Sequence, residues 1–240
     1  ILFKAFGFHR EGPSEKQIES KNRSYFVTLP ITKWTNGDPP IPCLSVQVEL
    51  ETRDFTLDLG FRGILSASMD FLGQIQNKTF LRTIRRYGLR GKEYDKKVFG
   101  IPKVLIGNLI CRNITIQEEA RDFNSNSRFL KDGTKPSQEQ PGRIGWELFK
   151  STNLLLDLGH NRVALCDSIS ILELNGYDIK AFSKTPLITD RGFIELDIDI
   201  PNRSLRCVLD TGCTWNFMNC EPKNCTGAHR RASAFGGTSL

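Results

Sequence analysis

The chain has 240 residues, of which 39% are hydrophobic and 25% are charged, and its net charge is +6. These proportions are ordinary for a globular protein, and they exclude a collagen, an extended disordered chain and a coiled coil. The apolar runs are far too short to cross a bilayer, so we predict no membrane span. The small basic excess permits acidic partners without requiring them.

The first half of the chain changes from a polar start to a β pattern. Residues 1–24 are mixed and polar, and we predict a loosely held N-terminal arm. Residues 25–29 predict a strand. Apolar and polar residues then alternate over 44–50 with period two, which predicts a half-buried strand. The alternation resumes at 55–57 after a polar turn at 53–54.

A second run of short strands is predicted at 98–101, 104–106 and 113–117, each bounded by Gly, Pro or Asn. Residues 118–143 are rich in Asn, Ser, Gly and Pro, which predicts a long surface loop. Residues 145–150 suit a single helical turn.

The last predicted elements are again strands. Residues 153–158 and 162–165 form a hairpin pattern around Gly159. Residues 194–200 alternate cleanly between isoleucine or leucine and acids, as an amphipathic strand does. Many short strands and little helix predict an all-β barrel or sandwich.

The basic residues are densest between Arg82 and Lys103. This stretch holds eight lysines and arginines, opposed only by Glu93 and Asp95. Surfaces that bind single-stranded nucleic acid interleave such charges with aromatic side chains on which bases stack, and this stretch does not. We therefore expect a solvated surface here and no nucleic-acid partner.

The chain has seven cysteines, an odd number that cannot all pair within one molecule. The last four, together with His229, have spacings that match no zinc pattern built from tight C-x2-C pairs, so no metal site is predicted. Cys220 and Cys225 are suitably spaced for a local disulfide in an oxidising compartment. The residues that follow Ile1 do not resemble a signal peptide, and the sequence gives no indication of compartment.

An internal repeat links two parts of the chain. Residues 46–68 align with residues 198–220 at a constant offset of 152 positions. Both copies run from an alternating strand through a polar turn to a second strand, and then to an apolar-Asp-x-Gly motif. That motif is Leu57-Asp58-Leu59-Gly60 in the first copy and Leu209-Asp210-Thr211-Gly212 in the second. A repeat of this size predicts two related lobes.

The motif Val208-Leu209-Asp210-Thr211-Gly212 resembles the active-site loop of the pepsin and retropepsin aspartic peptidases. The resemblance implies an all-β, pepsin/retropepsin-like acid-protease barrel in which two such loops place two carboxyl groups side by side. Asp58 and Asp210 would then be the catalytic pair, sharing one proton because two like charges so close cannot both ionise. The Thr211 hydroxyl would bond across to the partner loop. The glycines of the two loops, Gly60 and Gly212, would permit the tight turns.

Further segments resemble this family in the expected order. Tyr87, Gly88 and Gly91 stand where the family has the tip of its substrate-binding flap. In the family, two strands, a glycine followed by a short helix, and a closing hairpin come next. The corresponding residues here are, in that order, 105–109, 112–116, 143–149 and 154–165. The resemblance implies a peptide or protein substrate and no cofactor.

The domain boundaries follow from the same comparison. We predict an arm at 1–24, a first lobe at 25–166, a linker at 167–192 and the start of a second lobe at 193–240. Only 28 residues follow Gly212, against 85 from Gly60 to Gly145, so the second lobe is incomplete in this sequence. We expect either a fragment of a longer chain or a truncated relative. A third hypothesis is that the second loop works through a homodimer, as in single-lobe retropepsins.

Three residues depart from the family pattern. Leu59 stands where Thr or Ser is usual and cannot make the reciprocal hydroxyl bond. Phe61 and Cys213 stand where small residues are usual. The leading hypothesis is therefore an aspartic endopeptidase with a degenerate first loop. The alternative is a module of the same fold that binds a peptide or protein without cleaving it.

Overall fold

The computed structural model describes residues 2–4, 25–35, 40–87, 93–119, 141–181, 186–189, 192–200, 203–212, 232–234 and 237–239. The fold is mainly β, as the alternating patterns predicted. Within these ranges no helix combines the length and the apolar character that a bilayer-spanning helix needs.

The strands before the long polar stretch are β1 (Leu2–Lys4), β2 (Phe26–Pro30), β3 (Lys33–Trp34), β4 (Pro42–Val48), β5 (Glu51–Asp58), β6 (Leu65–Ala67), β7 (Thr79–Tyr87), β8 (Glu93–Ile106) and β9 (Leu109–Glu118). After it come β10 (Gly142–Gly145), β11 (Asn153–Asp157), β12 (Arg162–Cys166), β13 (Glu195–Ile200), β14 (Arg203–Val208), β15 (Ala232–Ala234) and β16 (Gly237–Ser239). The helices are α1 (Met69–Gln74) and α2 (Ile169–Leu174), with 3-10 turns at Trp146–Phe149, Leu158–His160 and Ile179–Ala181.

Six strands close into a barrel in the order β4-β5-β10-β6-β9-β8, because β8 pairs back onto β4. Strand β10 joins the two halves of the barrel. It runs parallel to β5, with Gly145 opposite Asp58, and antiparallel to β6. The last four residues of β5 are all buried, so the strand delivers Asp58 into the interior of the molecule.

The β4–β5 hairpin confirms the predicted alternation and corrects its end. The turn lies at Glu49-Leu50, and Glu49 adopts a positive φ of 55° there. The Glu49 carboxylate accepts the backbone N–H groups of Gln76 and Asn77. Leu50 was expected to continue the apolar face, but it is 95% exposed because the chain has already turned.

The strands predicted at 98–101 and 104–106 are one strand, β8. Pro102, the predicted boundary between them, instead lies within β8 with its side chain exposed. Pairing with β9 passes from Ile101 directly to Lys103, so the missing N–H of Pro102 breaks no ladder hydrogen bond. The predicted loop at 118–143 is also too long at its end, since β10 begins at Gly142, and residues 120–140 lie outside the described ranges.

A second sheet has the order β1-β11-β12-β2. Its β11–β12 hairpin confirms the pattern seen at 153–165. The predicted helical turn is also present, as the 3-10 turn Trp146–Phe149. Helix α2 packs beside this sheet through Ile171 and Leu172, in the stretch predicted to be a linker.

The β13–β14 hairpin carries the second motif. Its boundaries, shifted by 152 positions, fall within one or two residues of those of β4–β5. The hairpin is tied to a preceding segment by the paired backbone bonds between Ile188 and Glu195, and Leu209 N–H donates to Ile194 C=O. The two-lobe repeat itself remains a prediction.

The barrel interior holds the larger of the two clusters of buried apolar side chains in the described residues. Phe55 is fully buried, and its ring lies edge-on to Phe71 at 5.3 Å between centroids. We expect Phe55→Ala to lower the free energy of unfolding by about 3–5 kcal/mol, because it leaves a cavity in a packed core. Leu50→Ala, a matched control on the exposed turn, should change it by no more than about 0.5 kcal/mol. Urea unfolding of both variants checks this, and similar losses would contradict the assignment of the core.

Candidate active site

Two Asp-x-Gly loops from distant parts of the chain meet at the end of β5. Asp58 ends that strand, and the Phe61 N–H closes a turn onto the Asp58 carbonyl at 3.0 Å. Asp210 lies just after β14, where its Oδ1 accepts the Gly212 N–H at 2.9 Å. The two carboxyl groups are close enough that the charge of Asp210 raises the pKa of Asp58. The structure thus brings together the two aspartates that the sequence singled out.

The Thr211 hydroxyl joins the two loops with two hydrogen bonds. It accepts the backbone N–H of Leu59 at 3.0 Å and donates to the carbonyl oxygen of Leu57 at 2.6 Å. Leu59 occupies the position equivalent to Thr211, and it takes part only through its backbone. The cross-loop bonds therefore come from one side, as the departure at Leu59 predicted.

The two loop glycines allow this close approach. A Cβ atom on Gly60 would lie 2.7 Å from Oδ1 of Asp210, and one on Gly212 would lie 2.6 Å from Oδ1 of Asp58. Real Cβ atoms essentially never come so close to another heavy atom. Each glycine thus makes room for the carboxyl group of the opposite loop, which gives Gly60 and Gly212 a reciprocal role.

Arg143 contacts the first aspartate directly. Strand β10 places it beside the end of β5, and its Nη1 donates to Oδ2 of Asp58 at 2.9 Å. The Arg143 side chain is 15% exposed and that of Asp58 is 8% exposed, so this ion pair is largely shielded from water. Arg143 lies in a segment that resembles the family, but its local sequence predicts no role for it.

The other side of the Arg143 guanidinium forms two hydrogen bonds with Glu119. Its Nε and Nη2 donate to the two carboxylate oxygens of Glu119 at 2.8 and 3.0 Å. Lys96 Nζ lies 3.3 Å from the same carboxylate, and the Ser66 hydroxyl donates to it as well. Lys96 and Glu119 are both buried. A network of buried charges therefore lies next to the aspartate pair.

These surroundings set the proton affinity of the site. Burial raises the pKa of Asp58 to about 6; the Arg143 charge opposes that rise and the Asp210 charge adds to it. Glu119 differs: burial alone would raise its pKa, but the charges of Arg143 and Lys96 hold it below its ordinary value. Asp58 therefore retains a proton in mildly acidic solution, while Glu119 stays ionised.

Two of the three residues that depart from the family pattern, Leu59 and Phe61, lie in the core. Leu59 is fully buried, and Phe61 is 8% exposed. The Phe61 ring lies under the Arg143 guanidinium, 4.8 Å from ring centroid to Cζ, where the cation faces the π-system. Cys213 falls outside the described residues.

The predicted flap belongs to the β7–β8 hairpin. Tyr87 ends β7 and pairs with Glu93, while Gly88 and Gly91 lie outside the described residues. Below the tip, Arg86 Nη2 donates to the Arg62 carbonyl and to Gln117 Oε1, both at 3.4 Å. This hairpin is therefore linked to the segment that follows Asp58.

The sequence gives little indication that Lys96 and Glu119 are buried beside the aspartate pair. Lys96 lies in the basic stretch that was expected to be solvated, and Glu119 lies in a stretch that was expected to be a surface loop. In the part of the chain that the structure describes, no cluster of His, Cys, Asp and Glu has the arrangement of a metal site. The structure describes four of the seven cysteines, Cys43, Cys111, Cys166 and Cys207, and it shows no disulfide between any two of them.

No protein-family model and no curated protein matches the sequence. Among solved structures, the chain is similar to a retropepsin-like aspartic protease from Rickettsia conorii. The sequences are 12% identical, and the TM-score is 0.39. The alignment covers 61% of this chain and 96% of the other.

The cross-loop bonds of Thr211 can be tested by substitution. Thr211→Val keeps the shape of the side chain but leaves the Leu59 N–H and the Leu57 carbonyl without this partner. We expect a loss of about 1–3 kcal/mol in the free energy of unfolding and faster hydrogen exchange at the Leu59 amide. Thr211→Ser retains the hydroxyl and should preserve the slow exchange. Equal exchange in the valine variant and the wild type would show that the bond does not hold the loops together.

Proposed function

We propose that the chain is an aspartic endopeptidase that hydrolyses peptide bonds with water activated by the Asp58–Asp210 pair. The observation that carries this proposal is the meeting of two Asp-x-Gly loops, 152 residues apart in the chain, which Thr211 joins and in which the aspartate of each loop lies against the glycine of the other. Two carboxyl groups so close share one proton, which is the state that acid–base hydrolysis requires.

The reaction begins with the pair holding one proton. The ionised carboxylate accepts a proton from water while the water oxygen bonds to the peptide carbonyl carbon. The other carboxyl group gives its proton to the carbonyl oxygen as the C=O π bond opens. As the tetrahedral intermediate collapses, the C–N bond breaks and the carboxyl group that took the proton from water gives it to the leaving nitrogen. One hydroxyl group of the intermediate returns its proton to the other carboxylate as the C=O bond re-forms, which restores the pair. The products are a carboxylic acid and an amine.

A peptide lying across the pair needs a cover that excludes water. In our proposal the tip of the β7–β8 hairpin, with Tyr87, Gly88 and Gly91, supplies it. The hydrogen bonds from Arg86 to Arg62 and Gln117 support this role, since they connect the hairpin with the segment following the first loop.

The pH dependence of cleavage follows from the raised pKa of Asp58. The pair must keep one proton, and the pKa of Asp58 is about 6. We expect cleavage to be present in acid and to fall as the pH rises through about 6, because the pair then loses the proton that it donates to the carbonyl oxygen. The rate of cleavage of a diverse peptide pool across this range, followed by mass spectrometry, measures it.

Substitutions at the pair provide the direct test of the proposal. Asp210→Asn and Asp58→Asn should each lower the rate by at least about a hundredfold, because each removes one proton-transfer group. Asp70→Asn is the matched control, since Asp70 is exposed in the first turn of α1. It should cleave at the wild-type rate. Cleavage that survives loss of both Asp58 and Asp210 would refute the proposal.

A second candidate function is favoured by one observation, the ion pair between Arg143 and Asp58. A carboxylate paired with arginine takes up a proton less readily, and it is then less able to donate one to a peptide carbonyl. This suits a module that binds a peptide without cleaving it. This alternative predicts saturable peptide binding with the peptide recovered intact at every pH. It fails if any peptide is cleaved by the wild type and left whole by the Asp210→Asn variant.

A further inference from the structure

One guanidinium group connects the Asp58 carboxylate with a buried acid on another strand. Arg143 uses Nη1 for Asp58 and the pair Nε and Nη2 for Glu119. Because the guanidinium is planar and its N–H groups have fixed directions, binding Glu119 with two of its nitrogens determines where Nη1 points. The position of Glu119 is itself fixed by Lys96 and Ser66.

We propose that Arg143 is a positioning residue for the aspartate pair: held by Glu119, it fixes Oδ2 of Asp58 and leaves Oδ1 turned toward the second loop. This inference rests on the proposed peptidase function and adds to it a residue that sets the orientation and charge of Asp58. The geometry supports it, because Oδ1 of Asp58 lies beside Gly212 of the second loop. A Cβ atom placed on Gly212 would be 2.6 Å from this oxygen.

The charged groups around Asp58 determine the sign of the effect. Arg143 on β10 and Asp210 of the second loop face it directly. Glu119 and Lys96 act on it through Arg143, and Arg86 on β7 is within electrostatic reach of Lys96. The positive charge of Arg143 favours the ionised form of Asp58. The negative charge of Glu119 partly cancels that influence.

Substitutions of Arg143 and of its partner Glu119 are therefore expected to shift the pH–rate profile in opposite directions. Arg143→Gln removes the positive charge and should move the alkaline limb of the pH–rate profile upward by about one unit or more. Glu119→Gln leaves Arg143 less compensated and should move the same limb downward. Arg143→Lys retains the charge but cannot bond both acids in the same geometry. It should leave the limb near its wild-type position and lower kcat.

The test uses the full chain and two measurements on each variant. The first is kcat/KM against pH with a cleaved peptide. The second is the titration of the Asp58 carboxyl carbon, followed by NMR in protein labelled with carbon-13 aspartate, which requires no cleavage. If no peptide is cleaved, the peptidase proposal fails, and the NMR titration alone still decides whether Arg143 controls Asp58.

Opposite shifts in the glutamine variants support the proposal. An Asp58 titration that is unchanged in both, or shifted in the same direction in both, overturns it, because a purely structural arginine would affect stability without this sign pattern. Thermal unfolding shows which variants fold. If Arg143→Gln does not fold, the other two variants decide. A downward shift of the Asp58 titration in Glu119→Gln, together with an unshifted titration in Arg143→Lys, supports the proposal. If these two results are not obtained, the proposal is overturned.

Discussion

The cost of burying the Asp58 carboxylate governs the architecture around it. The side chain is 8% exposed, at the end of a strand with neighbours on both sides. An ionised group in such a place is strongly unfavourable unless it is paired or takes up a proton. The chain provides both means: Arg143 approaches from the parallel strand β10, and Asp210 approaches from the second loop. Arg143 is itself largely buried and needs Glu119, which in turn needs Lys96 and Ser66. Starting from Asp58, the network therefore reaches four other strands of the barrel: β10, β8, β6 and the end of β9.

Two identical Asp-Leu-Gly tripeptides show how far local sequence determines chemistry. Asp58 is buried at the end of a barrel strand, and its pKa is raised to about 6. Asp157 ends β11 at a hairpin, where it accepts hydrogen bonds from His160, Arg162 and Tyr177. Despite some burial, those bonds lower the pKa of Asp157 to about 2. The same tripeptide therefore gives an acid with a raised pKa in one place and, in the other, a turn residue whose lowered pKa keeps it ionised at neutral pH.

Patterns within a short window predicted much of the fold. The alternation in β4, the hairpin β11–β12 and the apolar-Asp-x-Gly motifs can all be recognised from neighbouring residues. The course of β8 through Pro102 could not, because it depends on a partner strand whose bonds skip that position. The partners of Arg143 were also hidden. Asp58 is 85 positions away, and Glu119 lies beside a polar stretch whose composition masked a single buried acid.

The one-sided bonding of Thr211 has a consequence for how such loops can associate. Because Thr211 supplies both cross-loop bonds, position 59 is free to carry a leucine that is fully buried in the barrel core. Two copies of the first loop could not join in the same way. Each would present Leu59, and neither would offer a hydroxyl to the other's backbone, so polar groups would be left unpaired at the contact. The recognition between loops is therefore directional: the first loop is complementary to an unlike partner and not to itself.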